Sequence, residues 1–327
     1  MRILVTGSSG HLGEAIIRTL QSKGIDYIGI DVKEGPYTSH AGSIADRNFV
    51  DQCMQGTDFI IHTATLHKPH VATHTYQEFI DTNLTGTLNL LELVKQHSVK
   101  AFIYTSTTST FGDMLTPGKG EPAIWITEEA KAAPKNIYGV TKTAAEDLCQ
   151  LFHRNHNLPC LILKTSRFFP EEDDNKSVRE LYQDDNLKAN EYLYRRVDIE
   201  DAAIAHLLAV EKAEKLGFGK YIISATSPFT EDDLHSLRQD APGVVAWHFP
   251  DYPEIYKARG WKMLPEIDRV YVNEKARIEL GWKPKYDFRY VLDCLKNGRD
   301  FRSELGREIG SKGYHAEEFE HGPYPVE

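Results

Sequence analysis

The chain begins with Met1-Arg2-Ile3-Leu4-Val5-Thr6-Gly7-Ser8-Ser9-Gly10-His11-Leu12-Gly13, and this stretch decides the fold. Its apolar run at residues 3–5 is typical of a buried strand, and an apolar stripe with helical spacing starts at Leu12. The glycines between them allow a tight turn and a close approach of the backbone, so that N–H groups at a helix start can meet a diphosphate. A plain strand-to-helix turn is the alternative interpretation of the three glycines taken alone.

A carboxylate further along favours the dinucleotide interpretation. An apolar run at residues 27–30 predicts the second strand, and Asp31 follows it directly. At this position a carboxylate accepts hydrogen bonds from the adenosine ribose, and it repels a 2′-phosphate, which favours NAD over NADP. Lys33 lies close by, and we interpret it as a solvated surface side chain.

Strands and helices alternate through the first half of the sequence. Further short apolar runs predict buried strands at residues 59–62, 101–106 and 160–163. The stripes with helical spacing are Leu12, Ala15, Ile16 and Leu20; Ile80, Leu84, Leu88 and Leu91; and Val140, Ala144, Leu148 and Leu151. This alternation predicts right-handed βαβ units and therefore an α/β fold of the Rossmann type, with a doubly wound parallel sheet.

The alternation breaks after residue 163, which indicates a second, smaller part of the molecule. Residues 164–196 have no clean period, and a helical pattern at 199–210 with an apolar run at 221–223 then returns to the sheet. The predicted division is an NAD-binding Rossmann domain over residues 1–163 with 197–224, and a discontinuous C-terminal substrate-binding part over 164–196 and 225–327.

Two later helices have recognisable ends. Asn273 is predicted to cap a helix that stops at Gly281, and Asp287 a helix that stops at Gly298. Residues 306–327 are rich in Gly, Pro and charge, and we predict irregular structure on the surface.

Composition limits the class of partner. With 48 acidic and 38 basic residues the chain has a formal net charge of −10, which argues against nucleic acid. The four cysteines are widely separated and form no Cys-x-x-Cys pair, which suits a reducing compartment. No apolar run approaches the roughly 20 residues that span a bilayer, and the N-terminus has no signal-peptide pattern. We therefore expect a cytoplasmic enzyme with no membrane partner.

Tyr138 and Lys142 are the candidate catalytic pair. On a helix, side chains four residues apart project from one face. A free tyrosine has a pKa near 10, too high for a base at neutral pH, and a neighbouring lysine cation lowers that pKa. Residues 105–110 form a polar run at the end of a predicted strand, where a hydroxyl could orient a substrate oxygen. A simple β-prone polar run is the alternative.

In combination these residues resemble the extended short-chain dehydrogenase/reductases, specifically the NAD-dependent epimerase/dehydratase family, which includes UDP-glucose 4-epimerase-like enzymes. The resemblance runs from residue 1 to about residue 223. The matching segments are Gly7-x-x-Gly10-x-x-Gly13, His62-Thr63-Ala64-Thr65, Asn83 with Gly86-Thr87, Thr107 counted back from Gly112, Tyr138 with Lys142, Val197-Asp198-Ile199-Glu200-Asp201, and, further on, Leu280-Gly281-Trp282-Lys283-Pro284.

The resemblance implies roles for individual residues. Tyr138, Lys142 and Thr107 would be catalytic, with NAD as the cofactor. The implied cofactor-binding residues are Gly7, Ser9, Gly10, His11, Leu12, Gly13, Asp31, Thr63, Ala64, Asn83, Tyr138 and Lys142. The expected contacts with a small-molecule substrate are Ser106, Thr108, His67, Arg167 and Arg196. Helices equivalent to those around Leu84 and Leu148 often form a dimer bundle in this family, so we expect a homodimer.

The implied chemistry is oxidation of an alcohol. Tyr138 would remove a hydroxyl proton while the hydride moves to NAD⁺, and an epimerase would return the hydride to the other face of the transient ketone. Dehydratases of the family carry an Asp-Glu pair where this chain has Thr108 and Ser109, which disfavours dehydration. Our first hypothesis is an epimerase of a sugar, nucleotide-linked in the simplest case. The alternatives are an NAD-dependent dehydrogenase or reductase of another alcohol or ketone, and a non-catalytic NAD-sensing protein.

Two departures from the family pattern concern the nucleotide. Where sugar-nucleotide epimerases carry Arg-x-x-Asn, this chain has Lys164-Thr165-Ser166-Arg167, and an acidic stretch follows at residues 171–174. Where an arginine pair is common, it has Lys262-Met263. A nucleotide diphosphate would have to be bound differently, for example by Arg167, Arg195 or Lys262.

A histidine cluster and an acidic cluster have the composition of metal sites. His67, His70 and His74 are spaced about one helical turn apart, but Pro69 interrupts a helix and no carboxylate or cysteine accompanies them. We therefore predict no metal, and a loop that covers the nicotinamide and brings a histidine to the substrate. Residues 171–174 lack the alternation and the glycine of a calcium loop, and we interpret them as solvated.

Overall fold

The computed structural model describes residues 1–313 and Phe319. Within this range the centre is a parallel sheet of seven strands, and a separate pair of short strands lies apart from it. The strands are β1 (Arg2–Thr6), β2 (Asp26–Asp31), β3 (His40–Ala41), β4 (Phe59–His62), β5 (Ala101–Thr107), β6 (Ile124–Ile126), β7 (Cys160–Thr165), β8 (Phe218–Ile223) and β9 (Arg269–Tyr271). Each strand predicted from an apolar run is present.

The strand order places a crevice beside β1. The sheet runs β3-β2-β1-β4-β5-β7-β8, so the chain first winds outward from β1 and then restarts on its other side. Thr6 at the end of β1 pairs with His62 at the end of β4. The helix that follows β1 lies on one face of the sheet, and the helical segment that follows β4 lies on the other face. Ligands of open α/β sheets bind beyond the carboxyl ends of the strands at such a reversal.

The α-helices follow the predicted alternation in the first half and crowd together in the second. They are α1 (His11–Ser22), α2 (Arg47–Cys53), α3 (Tyr76–Phe79), α4 (Gly86–Leu93), α5 (Ile137–His156), α6 (Lys176–Leu181), α7 (Asp184–Glu191), α8 (Ile199–Leu216), α9 (Leu234–Leu237), α10 (Ala241–His248), α11 (Tyr252–Arg259), α12 (Glu274–Glu279), α13 (Phe288–Lys296) and α14 (Glu304–Ile309). A π-helical segment, Ile80–Thr85, joins α3 to α4, and 3₁₀ turns occupy Lys68–His70, Thr108–Leu115 and Glu231–Asp233.

Helices cover both faces of the large sheet. One core contains α1 and α8 with Ile3 and Val5, and the opposite core contains α2, α4 and α5 with Leu4. Because both faces of a strand are buried, every position is apolar and the strand appears in the sequence as a continuous run. The predicted doubly wound α/β sheet is confirmed.

A further apolar cluster lies among the later helices. It joins α7, α10, α11 and α13 through side chains such as Val245, Tyr256 and Phe288. The pair β6–β9 connects it to the segment between β5 and α5, because Ala123 and Val270 belong to this cluster. We propose the division into residues 1–163 with 197–224 and residues 164–196 with 225–327, with residues 123–126 as the crossing point.

Three details differ from the sequence-based expectations. Residues 304–309 form α14, so the tail predicted as irregular from residue 306 begins inside a helix; residues 314–318 and 320–327 lie outside the described residues. Asn273 occupies the N-cap position of α12 as predicted, but its side chain makes no capping hydrogen bond, and its amide donates to the Ser224 carbonyl oxygen at 2.9 Å. Asp287 caps α13 as predicted, accepting from the Tyr290 N–H. Among the described residues, no helix is long and apolar enough to cross a membrane.

Candidate active site

A cavity of about 900 Å³ opens at the carboxyl edge of the sheet, beside the reversal point. Most of the predicted site residues line it: Gly7, Ser9, Gly10, His11, Leu12, Gly13, Asp31, Thr63, Ala64, His67, Ser106, Thr107, Thr108, Tyr138, Lys142 and Arg167. Two predicted residues, Asn83 and Arg196, are not among the described residues of the cavity wall. The fold therefore brings the N-terminal glycine loop and the Tyr138 region into one space.

The glycine loop is shaped for a dinucleotide. Gly7 has φ +74°, and a Cβ there would lie 2.8 Å from the Ala64 nitrogen; a Cβ on Gly13 would lie 2.0 Å from the Gly7 carbonyl oxygen. Only glycine fits these positions, and α1 therefore starts directly against the end of β1. The first hydrogen bond of α1 that spans four residues runs from the Glu14 N–H to the Gly10 carbonyl oxygen. The N–H groups of residues 11–13 therefore belong to the helix start, where a diphosphate can bind.

Asp31 is held in a fixed orientation at the end of β2. One carboxylate oxygen accepts from the Ser9 N–H at 2.9 Å and the other from the Lys33 N–H at 2.9 Å. The side chain lines the cavity next to the glycine loop. This is the arrangement that binds the adenosine ribose of NAD, so the residues present fit the dinucleotide.

Tyr138 and Lys142 project from α5 into the same cavity as predicted from their spacing. Asn136 caps the helix by accepting from the Gly139 N–H at 3.1 Å, which fixes the first turn that carries Tyr138. The Tyr138 side chain shares the cavity wall with Thr107 at the end of β5, which is near enough to lower the pKa of the phenol. Lys142 Nζ donates to the Thr105 carbonyl oxygen at 2.6 Å and lies 4.1 Å from the Tyr104 ring centre.

Burial sets the protonation of this pair. It raises the pKa of Tyr138 to about 12, and Thr107 only partly opposes the rise. Burial also lowers the pKa of Lys142 to about 7, although Glu146 one turn further along α5 opposes this change. The predicted net lowering of the tyrosine pKa is therefore wrong, because desolvation of the phenol is the dominant effect.

Lys142→Met is expected to stabilise the fold by about 0.5–2 kcal/mol at pH 6.5, because it removes a buried cation. The lysine has a pKa near 10.5 when unfolded and about 7 when folded, so between these pH values the unfolded chain holds one more proton. The stability of the wild-type protein therefore rises with pH across this window, and the advantage of the variant should shrink by pH 9.5. Urea unfolding at both pH values measures this; a less stable variant at pH 6.5 would contradict it.

Asn83 lies behind the cavity wall and links two segments of the site. Its side-chain oxygen accepts from the Leu66 N–H at 2.7 Å, and its amide donates to Thr141 Oγ1 at 3.0 Å. It thus ties the loop after β4 to the catalytic helix α5. His62 has a similar role between β1 and α4: its ring nitrogens lie 2.7 Å from Thr6 Oγ1 and 2.9 Å from Thr87 Oγ1.

The acidic stretch is not a solvated loop, contrary to the prediction. Glu171 and Asp173 are only 8 % and 5 % exposed. Asp173 binds Arg167 at 2.6 Å, and Asp174 binds Lys68 at 2.7 Å. Lys68 lies more than 100 residues away and Arg167 only six, and neither pairing is visible in the periodicity of the local sequence. Of the stretch, Asp174 lines the cavity, and its charge there is paired with that of Lys68.

Arg196 belongs to this ionic network and not to the cavity wall. Its guanidinium binds Glu191 at 2.7 Å and donates to the Phe169 carbonyl oxygen. Burial would raise the pKa of Glu191, but Arg195, Arg167 and Arg196 hold it at about 2. Of the two arginines predicted to contact substrate, only Arg167 reaches the cavity.

The histidine loop lies on the cavity wall. The His67 ring centre is 6.2 Å from that of Tyr138, and burial lowers its pKa well below the usual range, so the imidazole is neutral. His70 accepts from the His67 N–H at 2.9 Å through Nδ1. Within residues 1–313 and Phe319, no three His, Cys, Asp or Glu side chains group as a metal site requires. The predicted contact of a histidine with substrate stays a prediction.

Several residues of the cavity wall were not foreseen. They are contributed by long connections: Lys135 by the segment before α5, Arg269 and Tyr271 by β9, and Lys312 and Gly313 by the segment after α14. Nothing in the spacing of the sequence links these positions to the glycine loop. Arg269 is notable because its Nε is buried and has no hydrogen-bond partner among the described residues.

The fold and the cavity define a dinucleotide-dependent enzyme of the Rossmann class, and comparisons with known proteins identify its family. A family model described as "NAD dependent epimerase/dehydratase family" matches residues 3–223. The chain belongs to the NAD-dependent epimerase/dehydratase family. It is thus an NAD-dependent enzyme of the extended short-chain dehydrogenase/reductase type, which confirms the resemblance and the cofactor inferred from the sequence.

Individual relatives agree with this assignment. The chain is 27 % identical over 323 residues to dTDP-glucose 4,6-dehydratase from Streptomyces antibioticus, covering 88 % of this chain and 89 % of the relative. It is 25 % identical over 327 residues to UDP-glucose 4-epimerase from Halalkalibacterium halodurans, covering 88 % and 91 %. The crystal structure of UDP-glucose 4-epimerase from Thermotoga maritima with UDP-glucose has a TM-score of 0.62 at 21 % identity, covering 91 % of this chain and 99 % of that chain.

Proposed function

We propose that this protein is an NAD-dependent epimerase of a sugar, with Tyr138 as the base. The observation that carries the proposal is the hydroxyl pair of Tyr138 and Thr107 on the wall of the same cavity as the glycine loop. A substrate alcohol that contacts both hydroxyls would lie within reach of a cofactor bound at Gly7–Gly13. The names of the relatives support a sugar as the substrate.

The residues would divide the chemistry as follows. Thr107 orients the substrate hydroxyl and the Tyr138 phenolate accepts its proton, while the hydride leaves the same carbon. When bound, NAD⁺ supplies the hydride acceptor and a positive charge beside the phenol, which favours the phenolate. Lys142 would hold the nicotinamide ribose and, in its protonated form, would place an ammonium on the same face of α5 as the phenol. Return of the proton from Tyr138 accompanies return of the hydride to the opposite face of the sugar.

Dehydration is disfavoured in this proposal. Thr108 and Ser109 occupy the positions after Thr107, and neither carries a carboxylate that could catalyse elimination of water.

The alternative that a specific observation favours is a net dehydrogenase acting on a smaller alcohol. Two of the basic side chains on the cavity wall, Arg167 and Lys68, are already paired with Asp173 and Asp174, so these two are not available to a nucleotide diphosphate unless the pairs break.

Cofactor retention and product analysis test the function. Purified protein is denatured and its supernatant assayed for NAD⁺; tightly held stoichiometric NAD⁺ is expected. The protein is then incubated with UDP-glucose, UDP-galactose, the corresponding free sugars and uronic acids in D₂O, and products are followed by NMR. Epimerisation by hydride return gives a product without carbon-bound deuterium. Accumulation of NADH with one of these alcohols would show a dehydrogenase, and the absence of any turnover across the series would favour NAD sensing.

We also propose a homodimer, formed through α5 and the α3–α4 region. Val140 and Leu151 on α5 are 48 % and 39 % exposed, and Ile80 is 37 % exposed on the adjacent segment. Together with the partly exposed Leu84 and Leu148 they form one apolar face, here called the α4–α5 face. An apolar face of this kind on two adjacent helices suits association with a second copy. The cytoplasmic location expected from the sequence also stays a prediction.

Leu151→Glu is expected to weaken the dimer at least tenfold, because a carboxylate would be buried in the apolar α4–α5 face. Size-exclusion chromatography with light scattering over a dilution series measures the dissociation constant. Ile278→Glu is the matched control, because Ile278 is 72 % exposed on α12, away from this face. A monomeric wild-type protein, or equal effects of both substitutions, would contradict the proposed interface.

A further inference from the structure

The segment after α14 lies against the cofactor loop. Ser311, Lys312 and Gly313, here called the strap, follow the last helix, and Lys312 and Gly313 line the cavity together with Gly10 and His11. The strap is almost 300 residues away from the glycine loop in the sequence. An exposed segment of this kind is poorly ordered unless specific contacts hold it, so its contacts with the cavity edge are informative.

One carboxylate accepts three hydrogen bonds from the strap and holds it in place. Glu171 Oε1 accepts from Ser311 Oγ at 2.8 Å, from the Lys312 N–H at 3.2 Å and from the Gly313 N–H at 3.3 Å. His11 Nε2, on the first turn of α1, lies 3.0 Å from the same oxygen. Glu171 therefore joins three elements at one point: the strap, the cofactor helix and the loop after β7.

The strap completes the pairing of two buried carboxylates beside the glycine loop. Burial would raise the pKa of Glu171, but the contacts with His11 and Ser311 hold it at about 2, so the group is an anion. The second carboxylate, Glu14 on α1, binds Arg18 Nε at 2.7 Å through one oxygen and Lys312 Nζ through the other. Loss of the strap would leave Glu171 with His11 and Glu14 with Arg18 alone, and the less completely paired carboxylates would repel a diphosphate bound at the start of α1.

We propose that the strap forms part of the wall of the NAD site, is held in place by hydrogen bonds to Glu171, and retains the bound dinucleotide. The Lys312 ammonium pairs with Glu14, the strap hydroxyl and N–H groups donate to Glu171, and the strap itself narrows the path by which the cofactor would leave. The proposal rests on the NAD dependence of the family and is independent of the proposed epimerisation.

The rate of cofactor release tests the proposal without any sugar substrate. NADH is bound to the full-length protein and displaced by excess NAD⁺ in a stopped-flow experiment that follows NADH fluorescence. Glu171→Ala is expected to raise the dissociation rate constant about tenfold or more, since several hydrogen bonds to a charged group are lost. Glu172→Ala is the matched control: it removes the neighbouring carboxylate, whose side chain is 63 % exposed, and should change the rate less than twofold.

Gly313→Pro provides a second variant that leaves Glu171 in place. Gly313 has φ +63°, which proline cannot adopt, and proline also removes the N–H that Glu171 accepts, so the strap should detach while the buried core is untouched. Release as fast as in Glu171→Ala supports the proposal. Release at the wild-type rate from both variants overturns it, and fast release from Glu171→Ala alone shows that Glu171 acts without the strap, which also overturns it. Failure of the wild-type protein to bind NADH would instead contradict the cofactor assignment.

Discussion

Tyr138→Phe is expected to lower kcat by about 10²- to 10⁴-fold, the range that loss of a general base usually costs. The substitution removes one oxygen and keeps the ring, which is 7 % exposed and packed at the start of α5. Ground-state binding of NAD⁺ should change little, because the phenol acts on the substrate alcohol. The measurement is kcat and KM on the substrate identified from the sugar series, with the NAD⁺ dissociation constant determined separately.

Tyr271→Phe is the matched control for this experiment. Tyr271 lies on β9 in the wall of the same cavity and is 4 % exposed, but it is not part of the Thr107–Tyr138 hydroxyl pair. Its substitution should lower kcat less than about tenfold if the effect at Tyr138 is specific. Retention of wild-type kcat by Tyr138→Phe would disprove the proposed role of the phenol as the base.

The parts of the fold that sequence patterns predicted are those determined by local chemistry. The strand at residues 3–5 is followed by Gly7, which has a positive φ, and by Gly13, where a Cβ would clash with the backbone. Tyr138 and Lys142 share a helix whose geometry fixes their relative position. In a doubly wound sheet, a short continuous apolar run is most stable as a strand that is buried on both faces. These features depend on neighbours within a few residues, so a single sequence contains them.

The parts that were missed depend on partners far along the chain. Asp174 appeared solvated because its neighbours are acidic, whereas its partner Lys68 lies more than 100 residues away. Lys312 reaches Glu14 across almost the whole sequence. The direction of the Tyr138 pKa was also wrong, because it depends on how completely the cavity wall excludes water, and spacing does not report desolvation.

Glu146→Gln is expected to lower the free energy of unfolding by about 3–5 kcal/mol, the cost of breaking a buried ion pair from one side. Glu146 is 1 % exposed on α5, one turn beyond Lys142. Its Oε1 accepts from Lys164 Nζ and Ser106 Oγ, both at 2.5 Å, and its Oε2 accepts from Lys220 Nζ at 3.0 Å. Burial would raise the pKa of Glu146, but the two lysines outweigh burial and keep it below the usual range.

The cause of this loss can be separated from a simple packing defect. Glutamine has nearly the same shape as glutamate, so the packing is preserved and the two lysines are left without their counter-charge. Asp147→Asn, at the adjacent exposed position, is the matched control, and its free energy of unfolding should stay within about 0.5 kcal/mol of wild type.

Adding Lys164→Met to Glu146→Gln removes one of the unpaired cations and should recover part of the lost stability, because the double variant no longer buries that lysine unpaired. Urea unfolding at pH 7 measures all four proteins. If the double variant were less stable than Glu146→Gln, Lys164 would be stabilising through contacts other than the ion pair, such as its hydrogen bond to Thr110 at 2.8 Å, and the electrostatic account of the cluster would be wrong.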